Sequence, residues 1–226
     1  MRLNQLKNIA LLLVFWVIFN LAGFAQNTNN PEAVWEKSIL QFEKQDSVSF
    51  PKTDGILFLG SSSFTIWRDV QNNFPGKNII NRGFGGSQMS DVLYFKERLI
   101  LPYHPKQLVI YEGENDIAAG EKPDSILSEL NRLVKWTRKQ IPGIRICVVS
   151  MKPSPRRWEL KETMLEMNNC LKQFASENKD VSFVNIWDVL LGSDGKPVKE
   201  NYLDDTLHLN SNGYKIWQKA LAPFLN

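Results

Sequence analysis

Ile56-Leu57-Phe58-Leu59-Gly60-Ser61-Ser62-Ser63 begins with four uninterrupted apolar residues and runs straight into a glycine and three serines. Continuous apolarity is what a strand covered on both faces requires; a strand with one wet face would alternate. Similar runs occur at 78–81, 108–111, 145–150 and 181–186, most of them close to continuously apolar and leading into small or polar residues. The segments between them have helical spacing. Leu160, Met164, Met167, Leu171 and Phe174 step by four and three, which makes one apolar stripe. Ile126, Leu130 and Leu133 do the same after Pro123, a good first-turn residue, and Pro142-Gly143 stops that helix. Helical stretches are also expected at 31–46, with Val34, Ile39 and Phe42 loosely periodic, at 64–70, and over the closing 211–222. Strand and helix thus alternate about five times, which predicts a parallel sheet with right-handed crossovers and helices on both faces. The reading is one three-layer α/β/α domain over residues 32–226.

The N-terminus stands outside that domain. Arg2 and Lys7 precede an apolar run over 9–19, and Leu21-Ala22-Gly23-Phe24-Ala25 follows, with small residues where a signal peptidase reads. This is the layout of a secretory signal peptide at 1–25, cleaved after Ala25, with a flexible linker at 26–31. An uncleaved anchor is the alternative, although the run is short for a bilayer. The protein is therefore expected outside the cytoplasm, periplasmic or extracellular, with no stable membrane insertion after cleavage. Losing Arg2 and Lys7 from the 27 basic residues leaves 25 against 24 acidic ones, so the remaining chain is near neutral. Neither that balance nor any basic run with interleaved aromatics points to nucleic acid. Cys147 sits in an apolar run and Cys170 in a helical one, and both read as small buried thiols in preference to a disulfide.

In open α/β sheets, sites form beyond the carboxyl ends of the strands. The loops there are 60–63, 82–87 and 112–116, all rich in Gly, Ser or Asn. Ser62 at the first has its hydroxyl at the top of the sheet, which suits a nucleophile; an N-cap serine or a phosphate cradle would look the same. Asn81-Arg82-Gly83-Phe84-Gly85-Gly86-Ser87 carries three glycines that let backbone N–H groups approach a ligand, or that simply make a tight turn. Asn115 places a neutral amide donor beyond a buried strand, as an oxyanion donor or as a turn former. Asp205-Thr206-Leu207-His208, before the last helix, lets an acid orient an imidazole. The other histidine, His104, reads as a surface loop residue at the opposite edge.

Together these blocks resemble the SGNH hydrolases, the GDSL esterase/lipase superfamily, over nearly all of the chain beyond the signal segment. Ser62, Gly86, Asn115 and His208 match the four residues that name the family, in order, and Gly113-Glu114-Asn115-Asp116 and His208-Leu209-Asn210-Ser211-Asn212-Gly213-Tyr214 agree around them. The departure is Gly60-Ser61-Ser62, where the family usually has Gly-Asp-Ser. The resemblance implies a flavodoxin-like five-stranded fold and a serine esterase. Ser62 would attack, His208 oriented by Asp205 would be the base, and Gly86 and Asn115 would hold the oxyanion. It implies no cofactor, and two distant histidines give no zinc set. The first block also looks like platelet-activating-factor acetylhydrolases and carbohydrate acetylesterases, so a small acyl group on a glycan is the favoured substrate. A lysophospholipase or thioesterase of the same superfamily, or a non-catalytic flavodoxin-like binding module, are the other readings. Trp67, Phe84 and Trp158 are candidate pocket residues, with burial in the core as their commoner fate.

Overall fold

Five strands form one all-parallel sheet: β1 (Ile56–Gly60), β2 (Ile79–Gly83), β3 (Gln107–Tyr111), β4 (Arg145–Val149) and β5 (Val181–Val184), in the order β2-β1-β3-β4-β5. The structure, a computed structural model, describes residues 31–226. The expected signal peptide and all of the expected linker except Pro31 lie outside the described residues. The helices are α1 (Pro31–Val48), α2 (Ser62–Ile66), α3 (Val70–Asn73), α4 (Met89–Ile100), α5 (Glu114–Ala118), α6 (Pro123–Gln140), α7 (Lys161–Glu177) and α8 (Ser211–Leu221). The sheet, the helices from α2 onward and the candidate site all lie in one compact unit, Lys37–Asn226.

Every residue of β1 is buried, as its unbroken apolar run requires. Alternate side chains then serve opposite faces. Ile56 and Phe58 join Val109, Tyr111 and Cys147 in a cluster with Phe64, Trp67 and Trp217 of the α2 and α8 side. Leu57, Leu59, Leu108, Ile110 and Val148 fill the other face, where α6 packs between α4 and α7. Each such side chain contributes about 1.5–3 kcal/mol when fully buried, so the ends of the central strands are held by the most stable part of the molecule. Cys147 and Cys170 are both free thiols, and burial pushes that of Cys147 up to about 12.

Some boundaries differ from expectation, for reasons of pairing. β2 begins at Ile79 and runs on to Gly83, because its parallel register with β1 continues to the pair Gly60 and Gly83. Arg82 is thus a strand residue. Its charge is buried at the sheet edge, where Nη2 meets Asp46 Oδ1 at 2.5 Å and Nε donates to Tyr103 Oη at 2.7 Å. A buried charge requires such partners, and these fasten α1 to the sheet edge. Likewise Glu114 to Asp116, expected in a loop, open α5, and the stretch expected as one helix at 64–70 is split between α2 and α3. Among the described residues no helix is long and apolar enough to cross a membrane.

Candidate active site

The chain leaves β1 and pairs on one side with β2 and on the other with β3, so the carboxyl end of β1 is where the strand order reverses. Crevices open at such switch points. Gly60 makes this corner: a Cβ on it would lie 2.1 Å from the carbonyl oxygen of Tyr111 on the neighbouring strand. Ser61 occupies the N-cap of α2, with no capping bond from its side chain. Its carbonyl accepts from Phe64 N at 3.0 Å and Thr65 N at 3.1 Å, and this turn lifts Ser62 onto the first helical position. Behind it, Tyr214 Oη of α8 donates to Ser63 O at 2.7 Å, and the Tyr214 ring stacks on Trp67 at 4.8 Å.

Opposite Ser62 stands the turn before α8. His208 Nε2 is 2.9 Å from Ser62 Oγ, and its Nδ1 is 2.5 Å from Asp205 Oδ2. The other oxygen of Asp205 accepts from the backbone N–H of Leu207 and of His208, both at 2.9 Å. Asp205 therefore folds its own turn as well as facing the ring. Thr206 takes φ 57 to let the chain double back, an unusual conformation for a β-branched residue. Burial raises the Asp205 carboxyl, but the hydrogen bonds from His208 and the two backbone N–H groups outweigh it and hold the group at about 2. An ionised Asp205 keeps the Nδ1 proton in place and leaves Nε2 free to accept from the Ser62 hydroxyl.

The third side is built from the loops after β2 and β3. Gly86 adopts φ 86, open to glycine, in a turn closed by Ser87 N to Phe84 O at 3.4 Å. Gly85 brings this loop beside the nucleophile corner, since a Cβ on it would stand 3.8 Å from Ser62 Cβ. Asn115 Nδ2 donates to Ser87 O at 2.9 Å, the Ser87 hydroxyl donates to Glu112 Oε1, and Met89 N donates to Asp116 Oδ1 at 2.8 Å. Three hydrogen bonds thus tie the two loops together. Burial pushes the Glu112 carboxyl well above the ordinary range, with the charge of Asp116 adding to it, and burial raises Asp116 to about 7.

All five expected residues, Ser62, Gly86, Asn115, Asp205 and His208, come from segments that meet at this edge. His208 contacts Ser62 and not Ser61. Of the candidate pocket aromatics, Trp67 and Phe84 are core residues, each 1% exposed. Trp158 is half-buried and stacks on Trp187 at 6.0 Å. His104 is exposed, with Asp54 at 3.5 Å.

Sequence reasoning missed one participant. Arg157, in the segment after β4, donates from Nη2 to Asn115 Oδ1 at 2.9 Å. Its signal was available: the loop after a fourth parallel strand reaches the same edge, and Lys152-Pro153-Ser154-Pro155-Arg156-Arg157 is polar and cationic. Among the described residues, the carboxylates close enough together to share a cation are those of Asp116, Glu121 and Glu129, within 4.8 Å of one another.

Similar proteins share this arrangement of strands. A protein from Streptococcus pneumonia, provisionally called a platelet activating factor, superposes with a TM-score of 0.76 at 24% identity, covering 84% of this chain and 92% of its own. A GDSL-like lipase from Bacteroides thetaiotaomicron gives 0.70 at 19% identity, with 82% and 96% covered. A catalytic mutant of an acetylxylan esterase from Geobacillus stearothermophilus gives 0.63 at 17%, with 76% and 94% covered. In sequence, the chain is 26% identical over 177 residues to an N-acylneuraminate cytidylyltransferase from Escherichia coli O18:K1:H7. That match takes in 76% of this chain but spans only 41% of the relative. The pattern of the GDSL-like lipase/acylhydrolase family matches residues 53–216, from just before β1 into α8. The chain belongs to the GDSL-like lipase/acylhydrolase family.

Proposed function

We propose that this acylhydrolase is an exported serine esterase that removes short acyl groups, acetyl foremost, from a carbohydrate. The observation that carries the mechanism is the pair of contacts at His208, 2.9 Å to Ser62 Oγ and 2.5 Å to Asp205 Oδ2. Ser62 Oγ attacks the ester carbonyl while its proton passes to His208 Nε2. The tetrahedral oxyanion takes hydrogen bonds from the N–H groups of Ser62 and Gly86 and from the Asn115 amide. Collapse breaks the bond to the alcohol oxygen, which leaves with the proton from His208. Water then attacks the acyl-serine, giving its proton to His208, and the acid departs as Ser62 is restored. None of these steps calls for a metal or cofactor.

The choice of a glycan rests on a cleft of roughly 600 Å³ that reaches Gly85, in the loop next to Ser62. It is lined mainly by polar residues, among them Gln41, Gln45, Thr65, Arg68 and Asn81, with Phe42 and Phe84 as its aromatic members. Amide, hydroxyl and guanidinium groups suit a hydroxyl-rich alcohol, whereas a long acyl chain needs an apolar wall. Two of the similar proteins have names that involve carbohydrate, the N-acylneuraminate cytidylyltransferase and the acetylxylan esterase. Export rests on the sequence of residues 1–25.

The test is a rate comparison on nitrophenyl acetate, butyrate, octanoate and decanoate, with acetate release from acetylated oligosaccharides measured alongside. The acetyl ester is expected to have the highest kcat/KM, and the oligosaccharides to lose acetate. A preference for octanoate or longer would point to a lysophospholipase or thioesterase instead.

A further inference from the structure

Asn115 is held at both ends of its amide. Nδ2 donates to Ser87 O at 2.9 Å, and among the described residues its second hydrogen has no acceptor. Oδ1 accepts from Arg157 Nη2 at 2.9 Å. A guanidinium on the amide oxygen does two things. It forbids the flipped amide, which would set NH₂ against a cation. It also draws electron density off the nitrogen, and that makes the free N–H a stronger donor, since linked hydrogen bonds polarise one another.

Arg157 is itself fixed. Nη1 reaches Glu114 Oε1 at 3.1 Å and Glu114 O at 3.3 Å, and the Arg157 side chain is only 18% exposed. The second oxygen of Glu114 takes Lys152 Nζ at 2.5 Å and the hydroxyl of Tyr111. Glu114, Lys152 and Tyr111 are all buried. A carboxylate so placed is stable only with its cations, and removing one partner of such a group leaves the rest uncompensated. Next to it, Arg156 N donates to Thr206 O at 3.1 Å, inside the turn that carries Asp205 and His208. The segment after β4 therefore touches both halves of the site.

We propose that Arg157 is a positioning residue of the oxyanion site, which orients and polarises Asn115 and is itself anchored by Glu114 and Lys152. This rests on the reading of Asn115 as an oxyanion donor. Arg157 acts through Asn115, so the two must be coupled in kcat, and KM must be left nearly alone.

The experiment is a double-mutant cycle on nitrophenyl acetate with Arg157→Met, Asn115→Ala and the double variant, each checked by circular dichroism and thermal melting. Arg157→Met is expected to lower kcat about 10- to 100-fold with KM within about twofold. In the Asn115→Ala background the same change is expected to alter kcat by less than about threefold. Arg157→Lys, which keeps a charge beside Glu114 but cannot bridge to Asn115 with two arms, should fall between and serves if Arg157→Met does not fold. Additive losses, an unchanged kcat in Arg157→Met, or a raised KM at constant kcat would each overturn the assignment, the last by making Arg157 a substrate contact. If Asn115→Ala alone kept full kcat, the oxyanion reading would fail first and take this one with it. A large loss in Asn115→Ala with additive behaviour sinks only the role of Arg157.

Discussion

Replacing Asp205 with asparagine should damage catalysis at least as much as replacing it with alanine, and the reason is visible in the turn. One oxygen of Asp205 accepts from two backbone N–H groups at 2.9 Å, and the other faces His208 Nδ1 at 2.5 Å. An asparagine has one acceptor oxygen to share among these three positions. Two donors outweigh one, so the amide oxygen stays with Leu207 N and His208 N, and the NH₂ turns toward the imidazole. His208 must then present a bare Nδ1 to that NH₂ and carry its proton on Nε2, where it can no longer accept from Ser62. An alanine leaves a gap beside a partly exposed ring, and water can take the Nδ1 proton there. For Asp205→Asn the expected loss in kcat is about 10³–10⁴, equivalent to about 4–5.5 kcal/mol of transition-state stabilisation, with KM little changed. For Asp205→Ala the tautomer argument predicts a loss no larger than that of Asp205→Asn. Steady-state hydrolysis of nitrophenyl acetate at pH 7.5 measures both. An Asp205→Asn enzyme with more than about a tenth of the normal kcat, or one clearly faster than Asp205→Ala, would refute the tautomer argument.

Other consequences follow from the same geometry. Asn115→Ala removes one oxyanion donor and should lower kcat by about 10²–10³ in the same assay; a loss below tenfold would remove Asn115 from the site. Gly60→Ala places a Cβ 2.1 Å from Tyr111 O, a strand-to-strand contact that cannot relax locally, and should cost about 1–3 kcal/mol or more in urea unfolding. Asp116 is raised by burial to about 7, against an ordinary 3.8, with Met89 N lowering it and Glu121 and Glu129 raising it. Between pH 4 and 7 the unfolded chain has released a proton that the folded Asp116 keeps, so stability falls as pH rises through that window. Asp116→Asn removes the effect: between pH 5 and 7.5, with EDTA present, the normal protein should lose on the order of 2 kcal/mol more than the variant, and parallel profiles would contradict it.

The strands were legible because burial on both faces leaves no room for polar residues, and β1, β3 and β4 show that in their sequences. Arg82 was read as a loop residue because a charge seldom sits in a buried strand. What makes it possible is Asp46 and Tyr103, 36 and 21 residues away in the chain. The site divides in the same way. Asp205 and His208 lie three apart, so their pairing is a local matter that a short motif can express. Ser62 and His208 are 146 residues apart, and only the blocks around each, on a sheet that brings its strand ends together, tied them to one place. Arg157 had no such block. Its partners Glu114 and Asn115 lie 43 and 42 residues earlier, and a polar segment after a strand does not say which amide it will reach.

The central claim is that Ser62 is the residue that forms the acyl bond, and covalent capture tests it most directly. The protein is treated with a fluorophosphonate, digested, and the modified peptide sequenced by mass spectrometry. One adduct on Ser62, absent in His208→Ala, is the predicted result. An adduct on Ser61, or a correctly folded protein that takes up no label while other serine esterases in the same mixture do, would contradict it.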